Sequence, residues 1–192
     1  MAERAGLPHL DTGAFYRAAT LAVLEAGVDP SDGEAVHDVV SRAGMSQENG
    51  RMYLDGQDVS AEIRTDLVTS AVSAVSAHPR VRETLVELQR GWVVEHGGGV
   101  VEGRDIGSVV FPDATLKFFL DASPEVRARR RALETGESFN EVLADLNRRD
   151  QLDSSRATSP LRIPEEAIVV DTSDLSLEDV VERLVGLITA KS

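Results

Sequence analysis

Three short apolar runs constrain this chain most: Val100-Val101, residues 116–120 and residues 167–170, each lying between helical segments. A strand separated from the next by a helix cannot pair with it through a tight hairpin. The pattern therefore predicts an α/β fold in which a parallel sheet is covered by helices on both faces. The helices are well punctuated. Thr12 opens an apolar-rich stretch that closes by Gly27. Ser31 with Glu34, Ser138 with Glu141 and Ser176 with Asp179 read as helix starts, and Pro79 and Ser123-Pro124 read as first-turn prolines. Leu177, Val180, Val181, Leu184 and Ile188 form one stripe on the last helix. Residues 51–60 differ: Met52, Tyr53 and Leu54, then Asp55-Gly56, then residues 57–59 predict a hairpin with a tight turn, an antiparallel insert beside the main sheet.

The length of 192 residues suits one domain with a small insert. A net charge of −13 argues against binding a long nucleic acid, which needs clustered positive charge. Zero Cys excludes disulfides, thiolate nucleophiles and Cys-type zinc sites, and makes a reducing compartment the simpler expectation. No apolar run approaches membrane-spanning length and residues 1–10 lack a signal-peptide core, so no membrane association and a cytoplasmic location are expected. His9, His37, His78 and His96 have no metal-ligand spacing.

The basic residues are 18 Arg and two Lys, Lys117 and Lys191. Neither follows a Gly, so these residues contain no G-x-x-x-x-G-K-[ST] phosphate loop. Eight Arg against six acids fall in residues 127–162, a pattern that suits either a small anion such as phosphate or a solvated helix face.

The strand ends carry the candidate chemistry. Val100-Val101 runs into Glu102-Gly103-Arg104-Asp105, and His9-Leu10 runs into Asp11-Thr12-Gly13. Ligands of open α/β sheets bind outside the carboxyl ends of strands. Asp11 and Thr12 either cap the following helix or help hold an anion at its N-terminus.

LDTGAFYRA (residues 10–18) and VVEGRDIGSVVFPDATLKFFLDAS (residues 100–123) resemble the cytidylate kinase family. So do DVSAEIRT (58–65), HPRVRE (78–83) and NRRDQLDSSRATSPL (147–161), in the right order over nearly the whole chain. The resemblance implies transfer of the γ-phosphoryl group of ATP, carried with Mg²⁺, to the 5′-phosphate of CMP or dCMP. It implies that Asp11, Thr12, Tyr16 and Arg17 form an acceptor-phosphate motif and that Arg104 grips the same phosphate. Ser73, Arg82 and Asp105 match positions that read the cytosine edge. Arg149, Asp153 and Arg156 match positions that meet the sugar and phosphates, and by spacing they fall on one face if the helix runs that far. Their plainer reading is an exposed ion pair of little worth. The segment from Arg127 to Arg131 matches the start of a mobile lid, with Arg130, or its neighbour Arg131, reaching the transferred phosphoryl group. Glu102 stands where the family often has Asp, holding magnesium through water.

The resemblance further implies a three-layer parallel sheet of the P-loop nucleoside monophosphate kinase type, in a single domain of residues 1–192. Within it the core is 1–44 and 97–192, the CMP-side insert about 45–96 and the lid about 127–162. In the family a buried first strand, a Gly-rich loop ending in Lys and a helix precede the LDTG motif. Residues 1–7 resemble the tail of that helix, and about 25 residues, one strand–loop–helix unit, have no counterpart here. Two explanations are open: an upstream start, or a CMP-binding chain without phosphotransfer. Either way the 192 residues alone are expected to have little kinase activity. A monomer is expected unless an exposed sheet edge pairs with another chain.

Overall fold

The computed structural model describes residues 1–155 and 162–190, with 149 and 152–155 described at backbone level. The elements in order are α1 (Ala2–Ala5), β1 (His9–Asp11), α2 (Thr12–Glu25), α3 (Gly33–Arg42), β2 (Met45–Glu48), β3 (Arg51–Leu54) and β4 (Gln57–Asp58). A 3-10 turn (Glu62–Arg64), α4 (Asp66–Val75), α5 (Pro79–Glu95), β5 (Val100–Glu102) and a π-helical turn (Ile106–Val110) follow. The remainder is β6 (Phe118–Asp121), α6 (Pro124–Thr135), α7 (Phe139–Ser155), β7 (Ile168–Asp171) and α8 (Leu177–Thr189). The fold is α/β with parallel strand pairs and a small antiparallel sheet, as the sequence predicts. Two compact units divide the chain at Gly103/Arg104, and residues 45–96 belong to the first of them.

In the unit Gly6–Gly103, β1 and β5 pair in parallel with His9 opposite Val100 and Asp11 opposite Glu102. Gly99 leads into β5 where a Cβ would stand 3.1 Å from the Pro8 carbonyl oxygen and 3.2 Å from Trp92, so a side chain there would displace backbone or ring. Leu10, Phe15, Val23, Val36, Val40, Ile63, Val81 and Leu85 fill one apolar core. The hairpin read around Asp55-Gly56 is present and larger than expected. β2 adds a strand, with Met45 opposite Leu54 and Gln47 opposite Met52. Both turns have their central residues at positive φ, Asn49-Gly50 at 50° and 75° and Asp55-Gly56 at 49° and 80°, as a two-residue hairpin turn requires.

The start of α3 corrects the expected capping box. Ser31 spends its hydroxyl on Asp29, and Asp32 caps the helix by accepting from the Ala35 N–H at 3.1 Å.

In the unit Arg104–Ser192, β6 and β7 pair in parallel from Phe118 opposite Ile168 to Asp121 opposite Asp171. These strands sit one or two residues later than the apolar runs suggested, because Lys117 contributes its carbonyl to Ile168 while its ammonium bonds the Pro112 carbonyl. Ser123 caps α6, and Gly136 at φ 76° ends it in the left-handed region. The Ser176–Asp179 capping box forms as read, and its helix places Val180 and Leu184 against Val170.

Candidate active site

In the first unit the acceptor motif lies at the junction of β1 and α2. Asp11 is the N-cap: its Oδ1 accepts from the Ala14 N–H at 3.1 Å, and its Oδ2 stands 3.7 Å from Arg64 Nη2. The capping reading therefore holds at Asp11. Thr12 is buried, and its hydroxyl donates to the Glu102 carbonyl at 2.7 Å. That bond uses the only hydroxyl proton, so in this structure Thr12 ties the two strand ends together. Glu102 itself extends an exposed carboxylate from the end of β5, with Oε2 3.5 Å from His9 Nε2.

One turn into α2, Arg17 donates through Nη1 to the Ile63 carbonyl at 3.1 Å and to Thr69 Oγ1 at 2.9 Å. Tyr16 faces Arg82, whose guanidinium carbon lies 5.3 Å from the ring centroid, within cation–π range. Arg82 is 5% exposed and donates to the Ser76 carbonyl at 3.4 Å. The Ser76 hydroxyl in turn donates to the Ser73 carbonyl at 3.2 Å. The end of α4 and the start of α5 thus bring Ser73, Ser76, Arg82 and Tyr16 into one neighbourhood, because Pro79 starts α5 only a few residues after α4 closes.

In the second unit the central group is a carboxylate that sequence reasoning passed over. Asp150 on α7 pairs with Arg127 Nη2 at 2.6 Å and with Arg104 Nη1 at 3.4 Å. Partial burial pushes its carboxyl upward, but the hydrogen bonds and positive charge of Arg127, then of Arg104, outweigh that and hold it below its ordinary range. Asp105 is buried, and its carbonyl accepts the Val109 N–H at 2.9 Å, closing the π-helical turn.

The two lid candidates do different things. Arg130 donates to Thr172 Oγ1 at 3.1 Å, to the Thr172 carbonyl at 2.5 Å and to the Leu175 carbonyl at 3.2 Å. Arg131 is exposed, with Glu134 3.8 Å away. Arg149 and Asp153 belong to α7, but their side chains lie outside the described residues, as does Arg156 altogether.

The missed residues had a signal in part. Arg64 lies inside the DVSAEIRT run, and Asp150 directly follows Arg149. Gln47, whose Oε1 accepts the Asp11 backbone N–H at 3.0 Å, had none, since a Gln between Met45 and the Asn49-Gly50 turn reads as surface. Among the described residues no group of three or more His, Cys, Asp or Glu is placed to hold a metal ion, and no helix is long and apolar enough to cross a membrane. Glu102 offers a single exposed carboxylate at the end of β5 and belongs to no such group.

A sequence model of cytidylate kinase matches residues 1–190. A cytidylate kinase of Mycobacterium leprae is 50% identical, the match covering 100% of this chain and 88% of that protein. A cytidylate kinase of Caldanaerobacter subterraneus is 49% identical over 96% of this chain and 84% of its own length. A third, from Corynebacterium glutamicum, is 46% identical over 100% of this chain and 87% of its own. The matches run along essentially the full sequence, and the chain belongs to the cytidylate kinase family of phosphotransfer enzymes.

Proposed function

We propose that this chain binds CMP or dCMP as phosphoryl acceptor, in a reaction that moves the γ-phosphoryl group of Mg²⁺-ATP onto the acceptor's 5′-phosphate. An acceptor phosphate oxygen forms the new P–O bond, the bond to the β-phosphate oxygen breaks, and ADP leaves with CDP or dCDP formed. The observation that carries the reading is Arg82, a guanidinium only 5% exposed between the Tyr16 ring and the Ser76 carbonyl. A guanidinium held this deep beside Tyr16 suits the ring acceptors of cytosine.

In this reading Ser73, Arg82 and Asp105 keep the base-reading roles that the family resemblance implies, and Arg17 and Arg104 the phosphate-neutralising ones. Arg149, Asp153 and Arg156 hold the sugar and phosphates. Arg130, released from Thr172 and Leu175, or Arg131 reaches the transferred group. Such chemistry demands mainly alignment and charge neutralisation of moving oxygens, which fixed guanidinium groups supply. Closing an Arg-bearing segment also keeps water from the phosphoryl group. Thr12 contributes indirectly by fixing the strand ends, and Glu102 takes the water-mediated magnesium contact. A cytoplasmic setting goes with this reading and rests on the zero Cys count.

A second reading has one observation in its favour. These 192 residues contain no G-x-x-x-x-G-K-[ST] run to cradle the ATP phosphates, so they bind CMP but turn over ATP slowly or not at all. Calorimetry with CMP beside a coupled ADP-release assay tests both. CMP binding is expected in either case. Brisk CMP-dependent ADP release sinks the second reading, and the absence of CMP binding sinks both.

A further inference from the structure

Gln47 occupies a place where strand alternation calls for an apolar side chain. It lies on the inward face of β2 with Met45, opposite Met52, and is only 4% exposed. Its side chain is not idle there: Oε1 accepts the backbone N–H of Asp11 at 3.0 Å. Its main-chain carbonyl accepts the indole N–H of Trp92 on α5, also at 3.0 Å. One residue of the small antiparallel sheet therefore bonds both elements that carry the acceptor-side groups. Asp11 caps α2, which presents Tyr16 and Arg17, and α5 carries Arg82.

The two bonds constrain different freedoms. The bond to Asp11 fixes the corner where β1 becomes α2, and so the entry of the turn bearing Tyr16 and Arg17. The bond to Trp92 pins the far end of α5, ten residues and about 15 Å along the axis from Arg82. A small rotation at that pin is enlarged at Arg82, and Trp92 is further held by stacking on His96 at 3.9 Å. Alignment tolerances of this kind decide phosphotransfer sites, where a shift of about 1 Å far from the chemistry can cost large factors.

We propose that Gln47 is a positioning residue for the acceptor nucleotide: the three-stranded sheet acts through it as a bracket that sets α2 against α5. The proposal rests on the acceptor reading above and adds to it a residue that touches no substrate.

The test compares Gln47→Met, which removes the acceptor for Asp11 at similar volume, with Leu54→Ala, which loosens the same sheet's packing without touching Asp11. Calorimetric titrations use CMP and cytidine on the full chain, with thermal melting in parallel. Gln47→Met is expected to bind CMP about tenfold more weakly and cytidine less than about threefold more weakly, because the phosphate-side residues lie on α2. Leu54→Ala, although less stable, is expected to keep CMP affinity within about twofold. Equal losses in the two variants, in step with their melting temperatures, would reduce Gln47 to a packing role and overturn the proposal. On the unmodified chain, CMP is expected to slow hydrogen exchange at the Asp11 amide and the Trp92 indole, and no change at either site contradicts it even if Gln47→Met does not fold. A parent chain that binds no CMP removes the acceptor reading and this proposal with it. A parent that binds normally, with Gln47→Met indistinguishable from it, removes this proposal alone.

Discussion

Arg127 Nη2 lies 2.6 Å from Asp150 Oδ2, and this pairing, more than the 3.4 Å contact to Arg104, holds the Asp150 carboxyl below its ordinary value of 3.8. A carboxylate with a lowered folded-state pKa adds stability that is fully present above the unfolded value and is lost as pH falls through the folded one. The contribution is thus intact at neutral pH and fades only below about pH 3.8. Asp150→Asn is expected to lower stability by about 1 kcal/mol at pH 7, less than a fully buried charged hydrogen bond because the pair is partly solvated. Melting curves of parent and variant should stay apart at neutral pH and converge as pH falls below 3.8 and on through the lower folded-state value. A gap that stays constant over that range contradicts the assignment.

Arg82 and Tyr16 make a prediction that separates stability from binding. Arg82→Met keeps the apolar stem but removes the donors that the base would meet, and is expected to bind CMP about a hundredfold more weakly, a loss far larger than any change in melting temperature accounts for. Melting and calorimetry on the same preparations check this. A variant that loses stability and keeps CMP affinity would mark Arg82 as structural.

Thr12 and Glu102 test what the hydroxyl does. Thr12→Val keeps shape but removes the 2.7 Å bond that joins the ends of β1 and β5. A loss of about 1–2 kcal/mol is expected in chemical denaturation, since the Glu102 carbonyl then lacks this partner, whereas Thr12→Ser should recover most of it. Equal stability of the Val variant and the parent contradicts the strand-end tie.

Leu85 lies on α5, the helix that carries Arg82, and is fully buried in the core of the first unit. Leu85→Ala is expected to cost about 2–5 kcal/mol by denaturant titration, the usual range for a cavity in a packed core. A cost below about 1 kcal/mol would mean that this core repacks freely.

What was legible in the sequence follows from how local each signal is. The Asp55-Gly56 turn, the Pro79 and Ser123-Pro124 helix starts and the Ser176–Asp179 box are written within a few residues, and each appears in the structure. β2 was not legible, because Gln47 and Glu48 interrupt the apolar alternation and the Asn49-Gly50 turn then lacks a recognisable first strand. Ser31 lost the α3 cap to Asp32 because Asp29, two residues back, offered its hydroxyl a closer acceptor. At the candidate site the motifs gave residue identities but not their partners. Arg127 and Asp150 are 23 positions apart, and nothing in either's neighbourhood announces the pairing. Thr12 reads as a phosphate donor by motif, and only the fold shows its proton committed to Glu102.

The proposed acceptor reading assigns Arg82 to the cytosine edge. It is tested most directly by titrating this chain with CMP and with UMP under identical conditions. The predicted result is CMP binding at least about tenfold tighter than UMP, because uracil presents a carbonyl where cytosine presents an amino group and reverses the ring nitrogen from acceptor to donor. Equal affinity for the two nucleotides would contradict the account.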